Sequence, residues 1–464
     1  MKNASLYKNV SAIFFLVIFL VSGSTLNIGC AQIGAISGGD KDTLAPILVR
    51  VNPPQNTLNF KGNQIQFSFD EFIEVKDISS NVIVSPYQNS TPLITFNRKS
   101  ITVKLRDTLL PNTTYSINFG NAIRDFNESN PLSGLTYVFS TGNKIDELSI
   151  SGKVLLAETS KADSTVEVLL YKNGTDSSVK IRKPDYIART NGNGEFKINN
   201  LPAATYKIYA LKDYDGNKRY SSSSEIFGFM DEDVNPEINN KPVEIYAYRE
   251  VPIAELPPSL PKIEKVFKVA TNLENKKIDI LNPLEITFSR RVNNHDTAEV
   301  KLLDSLNNNV VFETYKWDST FTHLKLIPKW QAGMEYSLVI PDSIYRDQAG
   351  KFLIVDTFKF SAKSLSEYGR ILLRFKNLDE SKNPVLQLFQ GDKLFASGEI
   401  KNSEWSDNLV PPAIYEIRVL FDANKNGVWD PGNYNLKKQP EIVVTIPQTI
   451  SIRADWDNER DIIL

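Results

Sequence analysis

Hydrophobic and polar residues alternate along most of this chain with a period of two. Gln64-Ile-Gln-Phe-Ser-Phe-Asp70 puts Ile65, Phe67 and Phe69 on one side; Ile101, Val103 and Leu105 repeat the pattern, and so do Tyr115, Ile117 and Phe119. Successive side chains of an extended strand point to opposite faces, so each run predicts a strand with one apolar face. The runs are short and are punctuated by Asn, Gly and Pro, residues that supply turn conformations. Short strands at close spacing, with turn signals between them, predict an all-β fold of tandem β-sandwiches.

The pattern repeats as two kinds of unit. The first, residues 43–142, opens on Pro46-Ile-Leu-Val-Arg-Val-Asn-Pro-Pro54 and closes on Tyr137-Val-Phe-Ser-Thr141. A second copy, residues 262–362, replays Ile65, Phe67 and Phe69 as Leu284, Ile286 and Phe288, and Tyr115, Ile117 and Phe119 as Tyr336, Leu338 and Ile340. Ile344-Tyr-Arg-Asp347 echoes Ala122-Ile-Arg-Asp125, and the offset between copies holds at 219 to 222 residues. Gln66-Phe-Ser-Phe-Asp-Glu71 and Leu110-Pro-Asn-Thr-Thr-Tyr115 through Asp125 resemble the SbsA-type bacterial Ig-like domain. The second copy departs from it at Ser289-Arg-Arg291, where bases replace the acidic residue.

The other unit follows each of these. Residues 147–249 contain Ser149-Ile-Ser-Gly-Lys-Val-Leu155, Thr190-Asn-Gly-Asn-Gly-Glu-Phe196 and Asn200-Leu-Pro-Ala-Ala-Thr-Tyr-Lys-Ile208. Asn-Gly-Asn-Gly tolerates the positive φ of a tight turn. These residues resemble the transthyretin-like, carboxypeptidase-regulatory-like sandwich, which implies an accessory and non-catalytic module. Residues 368–464 carry a degenerate copy, with Asn408 to Ile417 aligned on Asn200 to Ile208 at an offset of 208 to 209. A Pro-rich linker, residues 250–261, separates the halves and is expected to be stiff and extended, giving a string of four modules.

The amino end breaks the alternation. After Lys2 and Lys8 comes Ser11-Ala-Ile-Phe-Phe-Leu-Val-Ile-Phe-Leu-Val21, then small residues up to Gly29 and Cys30. A basic stub followed by a short apolar core has the layout of a secretory signal, residues 1–29. Leu26-Asn-Ile-Gly-Cys30 resembles a bacterial lipobox, although the family's usual Leu three residues before the cysteine is Asn27 here. The resemblance implies cleavage before Cys30 and its acylation, with residues 30–42 as a flexible tether. Cys30 is the only cysteine, so no disulfide competes for it. The leader Gly38-Gly-Asp-Lys-Asp-Thr-Leu-Ala-Pro46 resembles the start of Bacteroidota lipoproteins with such an Ig-like domain. Ala31 after the cysteine resembles lipoproteins sent to the outer membrane, and the sequence leaves its periplasmic and surface faces both open.

Composition narrows the function. A net charge of −2 gives no field for nucleic acid or anionic lipid. The two histidines, His295 and His323, form no metal-spaced cluster, and no nucleophile elbow or phosphate-cradling Gly loop occurs. Asp70 and Glu71 read as strand neighbours that face opposite ways. The chain is therefore not expected to be an enzyme. One ligand candidate stands out: Asp422-Ala-Asn424-Lys-Asn426-Gly-Val-Trp-Asp430 spaces oxygen side chains like the start of a calcium loop. It has neutral Asn at two early positions and Asn433 where the bidentate Glu belongs, so an Asx-rich turn capping its own backbone is the competing reading. Otherwise no cofactor is expected. The five tryptophans lie in the second half, and Trp405 and Trp429 are expected at the surface. The expected role is structural or binding, in a lipid-anchored cell-envelope protein whose partner is a membrane together with an envelope protein or glycan. A glycan-binding accessory lipoprotein of a polysaccharide-uptake system is the alternative, and a carboxylate-based hydrolase a more distant one.

Overall fold

The computed structural model describes residues 41–238, 241–251, 268–289, 291–292, 300–340 and 357–464. The leader, Cys30, residues 252–261 of the linker, His295 and Ile344-Tyr-Arg-Asp347 lie outside the described residues.

The chain folds as all-β sandwiches around four separate apolar cores. These span Phe60 to Phe139, Ile150 to Ala247, Ile278 to Ala362 and Ile371 to Ile462. The alternating runs form the strands and their apolar faces form the cores. Ile65, Phe67 and Phe69 are buried in Gln64–Phe69, and Leu284, Ile286 and Phe288 in Leu284–Phe288. Each such side chain contributes about 1.5–3 kcal/mol relative to exposure, which is why the period-two pattern dictates the register.

The first and third modules share one plan. In the first, Leu48–Asn52, Gln64–Phe69, Ser100–Lys104 and Leu93–Asn97 pair in that order, facing a sheet of Ile83–Ser85, Thr114–Asn118 and Thr136–Ser140. The third repeats it with Val269–Thr271, Leu284–Phe288, His323–Pro328 and Phe312–Trp317 against Lys301–Asp304, Glu335–Val339 and Phe358–Ala362, and adds Lys277–Ile278 at the edge. Both copies lock the same corner. The Tyr115 hydroxyl accepts the Leu110 N–H at 2.8 Å, and the Tyr336 hydroxyl accepts the Gln331 N–H at 2.9 Å.

The second and fourth modules share another plan, in which the first strand pairs parallel with the last. Leu148–Leu156 pairs with Val243–Arg249, and Gly369–Lys376 with Asp457–Ile463. Each also has an antiparallel four-strand run, in the order Tyr186–Arg189, Glu167–Lys172, Tyr206–Lys212 and Ile226–Phe229 in the second, and Lys393–Glu399, Pro384–Gln390, Ile414–Phe421 and Ile442–Thr445 in the fourth. The Tyr206 hydroxyl donates to the Pro202 carbonyl and the Tyr415 hydroxyl to the Pro411 carbonyl, each at 2.9 Å. Residues following Leu-Pro and Val-Pro thus enter their strands at matched corners.

Two expectations are corrected. Asp70 and Glu71 are not strand neighbours: the strand ends at Phe69 and both lie in the bend beyond it, where the Asp70 carboxylate accepts the Ile47 N–H at 2.8 Å. The modules are also not beads in a line. A second apolar cluster covers the outer face of the second module's four-strand run, and Tyr434 of the fourth module is part of it. Among the described residues no helix is long and apolar enough to cross a membrane.

Candidate functional site

The loop between Ile414–Phe421 and Ile442–Thr445 contains all four candidate ligands. Asp422 is buried. Its Oδ1 accepts the N–H groups of Lys425 at 2.7 Å and Asn426 at 3.2 Å, and its Oδ2 accepts that of Gly427 at 2.7 Å. Asn424 Oδ1 accepts the Asn426 N–H at 3.0 Å, and Asn426 Oδ1 accepts the Val428 N–H at 2.7 Å. The side-chain amides of Asn424 and Asn426 both donate to Asp430 Oδ2. The four residues are thus gathered within one turn, and their oxygens accept from that turn's own donors.

Sequence reasoning missed Glu441, which is buried and closes the loop. It accepts the Ala423 N–H at 2.8 Å and the Asp430 N–H at 3.0 Å. Its signal was its place directly before the apolar run Ile442-Val-Val444. The second module carries the same device. Asp213 accepts the Gly216 and Lys218 N–H groups at 2.9 and 3.0 Å, and buried Glu225, directly before Ile226–Phe229, accepts those of Ser221 and Ser222 at 2.9 and 3.1 Å. Gly216 and Lys218 have positive φ, as do Lys425 and Gly427 at the equivalent positions. Asp213, Asp215 and Glu225 each offer a carboxylate oxygen within 4.8 Å of the others. Hard cations take such oxygen sets; the fourth module has Asn424 where the second has Asp215. The Asn217 N–H is the main reason that Asp215 is held below the usual carboxylate range.

The same loop carries the contact between the halves. Tyr434 is 4% exposed, with ring centroids 5.0 Å from Phe227, 5.1 Å from Phe229 and 5.7 Å from Tyr209. Its hydroxyl donates to the Asp176 carbonyl at 2.6 Å and shares a 2.9 Å bond with the Tyr209 hydroxyl. Its own N–H donates to Glu250 at 2.9 Å. Burial pushes the Tyr209 phenol up to about 12 and the Tyr434 phenol up as well, so both are neutral donors and neither supplies a phenolate. Gly432 passes so close to Tyr248 that a Cβ there would lie 2.5 Å from the ring. Beside the loop, Val443 N–H donates to the Ala157 carbonyl at 3.1 Å, and Ser160 and Thr445 hydroxyls cross the same seam. At the rim, Lys437 meets Asp176 at 3.0 Å and Lys161 meets Glu416 at 2.5 Å. Such exposed pairs contribute about 0–1 kcal/mol, against about 2–3 kcal/mol for burying one aromatic side chain, so the aromatic cage and not the rim holds the halves together.

This corrects the expectation for the tryptophans. Trp429 is half-buried, packs at the docked cluster and donates from Nε1 to the Glu441 carbonyl at 2.8 Å; Trp405 is half-buried over Gly398. The exposed one is Trp456, at 58%. His323 is exposed and opens the strand His323–Pro328, beside Thr322 and Asp318.

Comparison with known proteins agrees with the first module's geometry. Residues 42–141 match the family described as the bacterial Ig-like domain. No curated protein matches the sequence. Among solved structures, the Bacillus anthracis TIE protein is 11% identical, with 92% of this chain and 76% of that one covered, at a TM-score of 0.17. BcpA, the major pilin subunit of Bacillus cereus, is 12% identical over 68% of this chain and 99% of its own, also at 0.17. The N-terminal part of the bacterial S-layer protein SbsC is 12% identical over 44% of each chain at 0.16. At those scores the likeness carries no functional weight.

Proposed function

We propose that this chain is an exported, lipid-anchored scaffold of the bacterial cell envelope, acylated at Cys30 and held at the outer membrane, with no chemistry of its own. The observation that carries the scaffold reading is the docked loop. It ties the second module to the fourth through Tyr434, so the two are braced against each other and not joined by the chain alone. The anchor rests on the apolar leader and on the lone cysteine after it. Each buried CH₂ of an acyl chain contributes about 0.8 kcal/mol, so two or more chains on one residue hold a protein at a bilayer without a spanning helix. Residues 30–42 would serve as the tether between the acyl chains and the first module. Its partner would be an envelope protein or glycan met by the outward faces of the modules.

The test is fractionation of cells with intact mass spectrometry. Native protein is expected in the membrane fraction with an acylated amino-terminal Cys30, and Cys30→Ala is expected to lose both. An unmodified thiol on membrane-bound native protein would overturn the anchor. A hard cation at Asp422, Asn424, Asn426 and Asp430 is a separate proposal, made from the ligand spacing. It is expected to raise Tm when Ca²⁺ is added, and Asp422→Ala should abolish that rise. An unchanged wild-type Tm assigns these oxygens to their own turn alone.

A further inference from the structure

Between the first and second modules lies a cleft of about 370 Å³ walled mainly by four strands. Ile83–Ser85 and Thr114–Asn118 line it from the first module, Tyr186–Arg189 and Glu195–Leu201 from the second. Its volume falls in the range of roughly 300–1,000 Å³ typical of small-ligand sites. Its chemistry is one-sided. Arg189 and Lys197 line it together with Ser85, Ser116, Asn118 and Asn199, and no carboxylate does, in a chain whose net charge is −2.

These polar groups are largely unspent. Arg189 makes no side-chain hydrogen bond among the described residues, and its one ion pair, to Glu167, is long at 3.9 Å. Glu167 is instead paired closely with Lys218 at 2.6 Å, so the guanidinium keeps only its long contact. The Arg189 side chain is only 31% exposed, and its burial pulls its pKa below the usual value, the sign of a cation held in a poorly compensating site. Lys197, Ser85, Ser116 and Asn199 likewise show no side-chain hydrogen bond among the described residues. A fork of guanidinium donors suits a carboxylate in bidentate fashion. A ring of hydroxyl and amide groups suits the many hydroxyls of a sugar.

We propose that this cleft binds a saccharide that carries a carboxylate, with the acid group on Arg189, assisted by Lys197, and the sugar hydroxyls on Ser85, Ser116 and Asn199. The site is distinct from the tryptophans of the second half, of which Trp405 and Trp429 pack against neighbours and Trp456 is exposed. It does not rest on the scaffold reading and would stand with Cys30 unacylated.

The test is isothermal titration of the purified full chain with trigalacturonic acid, with its fully methyl-esterified form, and with inorganic phosphate. Trigalacturonate is expected to bind, the ester at least tenfold more weakly, and phosphate alone not to bind at the same strength. Raising salt to several tenths molar is expected to weaken the acid form selectively. Arg189→Gln is expected to cost tenfold to about a hundredfold in affinity, the loss of a charge-assisted contact. Because Lys218 already satisfies Glu167, this variant should keep its Tm; if it does not, Lys197→Gln and Ser116→Ala carry the same test at a few-fold each. No heat with trigalacturonate, equal affinity for acid and ester, or a folded Arg189→Gln with unchanged affinity each overturn the site. Phosphate binding as tight as the sugar acid overturns the saccharide.

Discussion

Two residues in the docked loop show how much of the whole depends on single atoms. Gly432 has no special φ; it is needed because the chain runs against a neighbour. A Cβ there would lie 2.5 Å from Tyr248 Cζ and 2.8 Å from the Lys438 carbonyl. Backbone and a buried ring cannot both yield, so Gly432→Ala is expected to cost about 1–3 kcal/mol, as overpacking does. Tyr434→Phe tests a different property of the same contact. The ring still fills the cage, but the Asp176 carbonyl loses a 2.6 Å donor and Tyr209 its 2.9 Å partner. That loss is expected to be about 1–2 kcal/mol, the cost of leaving a buried group unmatched. Thermal melts of the full chain check both, and Gly391→Ala is not a suitable control because its φ is positive. Lys393→Ala, on an exposed edge strand, is a suitable one and is expected to leave Tm unchanged.

At the scale of elements, strands with one buried face were legible, because each misplaced residue would move a whole apolar set into water. Ile65, Phe67 and Phe69 and their copies at Leu284, Ile286 and Phe288 are such cases. The last strand was not. Asp457-Asn-Glu-Arg-Asp461 is polar throughout, and it is fixed in parallel by Gly369–Lys376 and by a ladder of opposite charge, with Arg374 on Glu459 at 2.8 Å and Lys376 on Asp461 at 2.8 Å. Pairings made across long sequence separations leave no local period to read. Trp429, Tyr434 and Arg189 escaped for the same reason, since each takes its role from another module. The loops around Asp422 were legible as turns, while the glutamate that seals each one stands apart in sequence. One such long-range contact titrates. Asp176 is held below the usual carboxylate range, first by the Lys207 ammonium and then by Lys437, which reaches it from the fourth module. A depressed carboxyl stabilises the fold above its unfolded value near 3.9 and ceases to do so as pH falls through the folded one. Acid is therefore expected to loosen the docking. Between about pH 5 and about pH 3 the Tm of Lys437→Met should fall less steeply than that of the native chain. Parallel curves would remove Asp176 from the account.

At the scale of the molecule, the question is whether the halves are joined by their linker or by their contact. Joined by the linker alone, they would move apart once the chain was cut within residues 252–261. Joined by the contact, they would stay together, because Tyr434, the Val443–Ala157 backbone bond and the Lys161–Glu416 pair do not pass through the linker. A linker raises the effective concentration of one half at the other, and cutting it exposes the intrinsic affinity between them. A protease site placed in residues 252–261 separates these cases. The nicked native protein is expected to elute as one species at tens of micromolar and to part on dilution. Nicked Tyr434→Ala, which empties a cage worth about 3–5 kcal/mol, is expected to part at concentrations about a hundredfold higher or more. Elution of the native halves as two species at every concentration would mean that the cage does not hold in solution. The molecule would then be a string of modules after all, and a scaffold built from it would have reach but no stiffness.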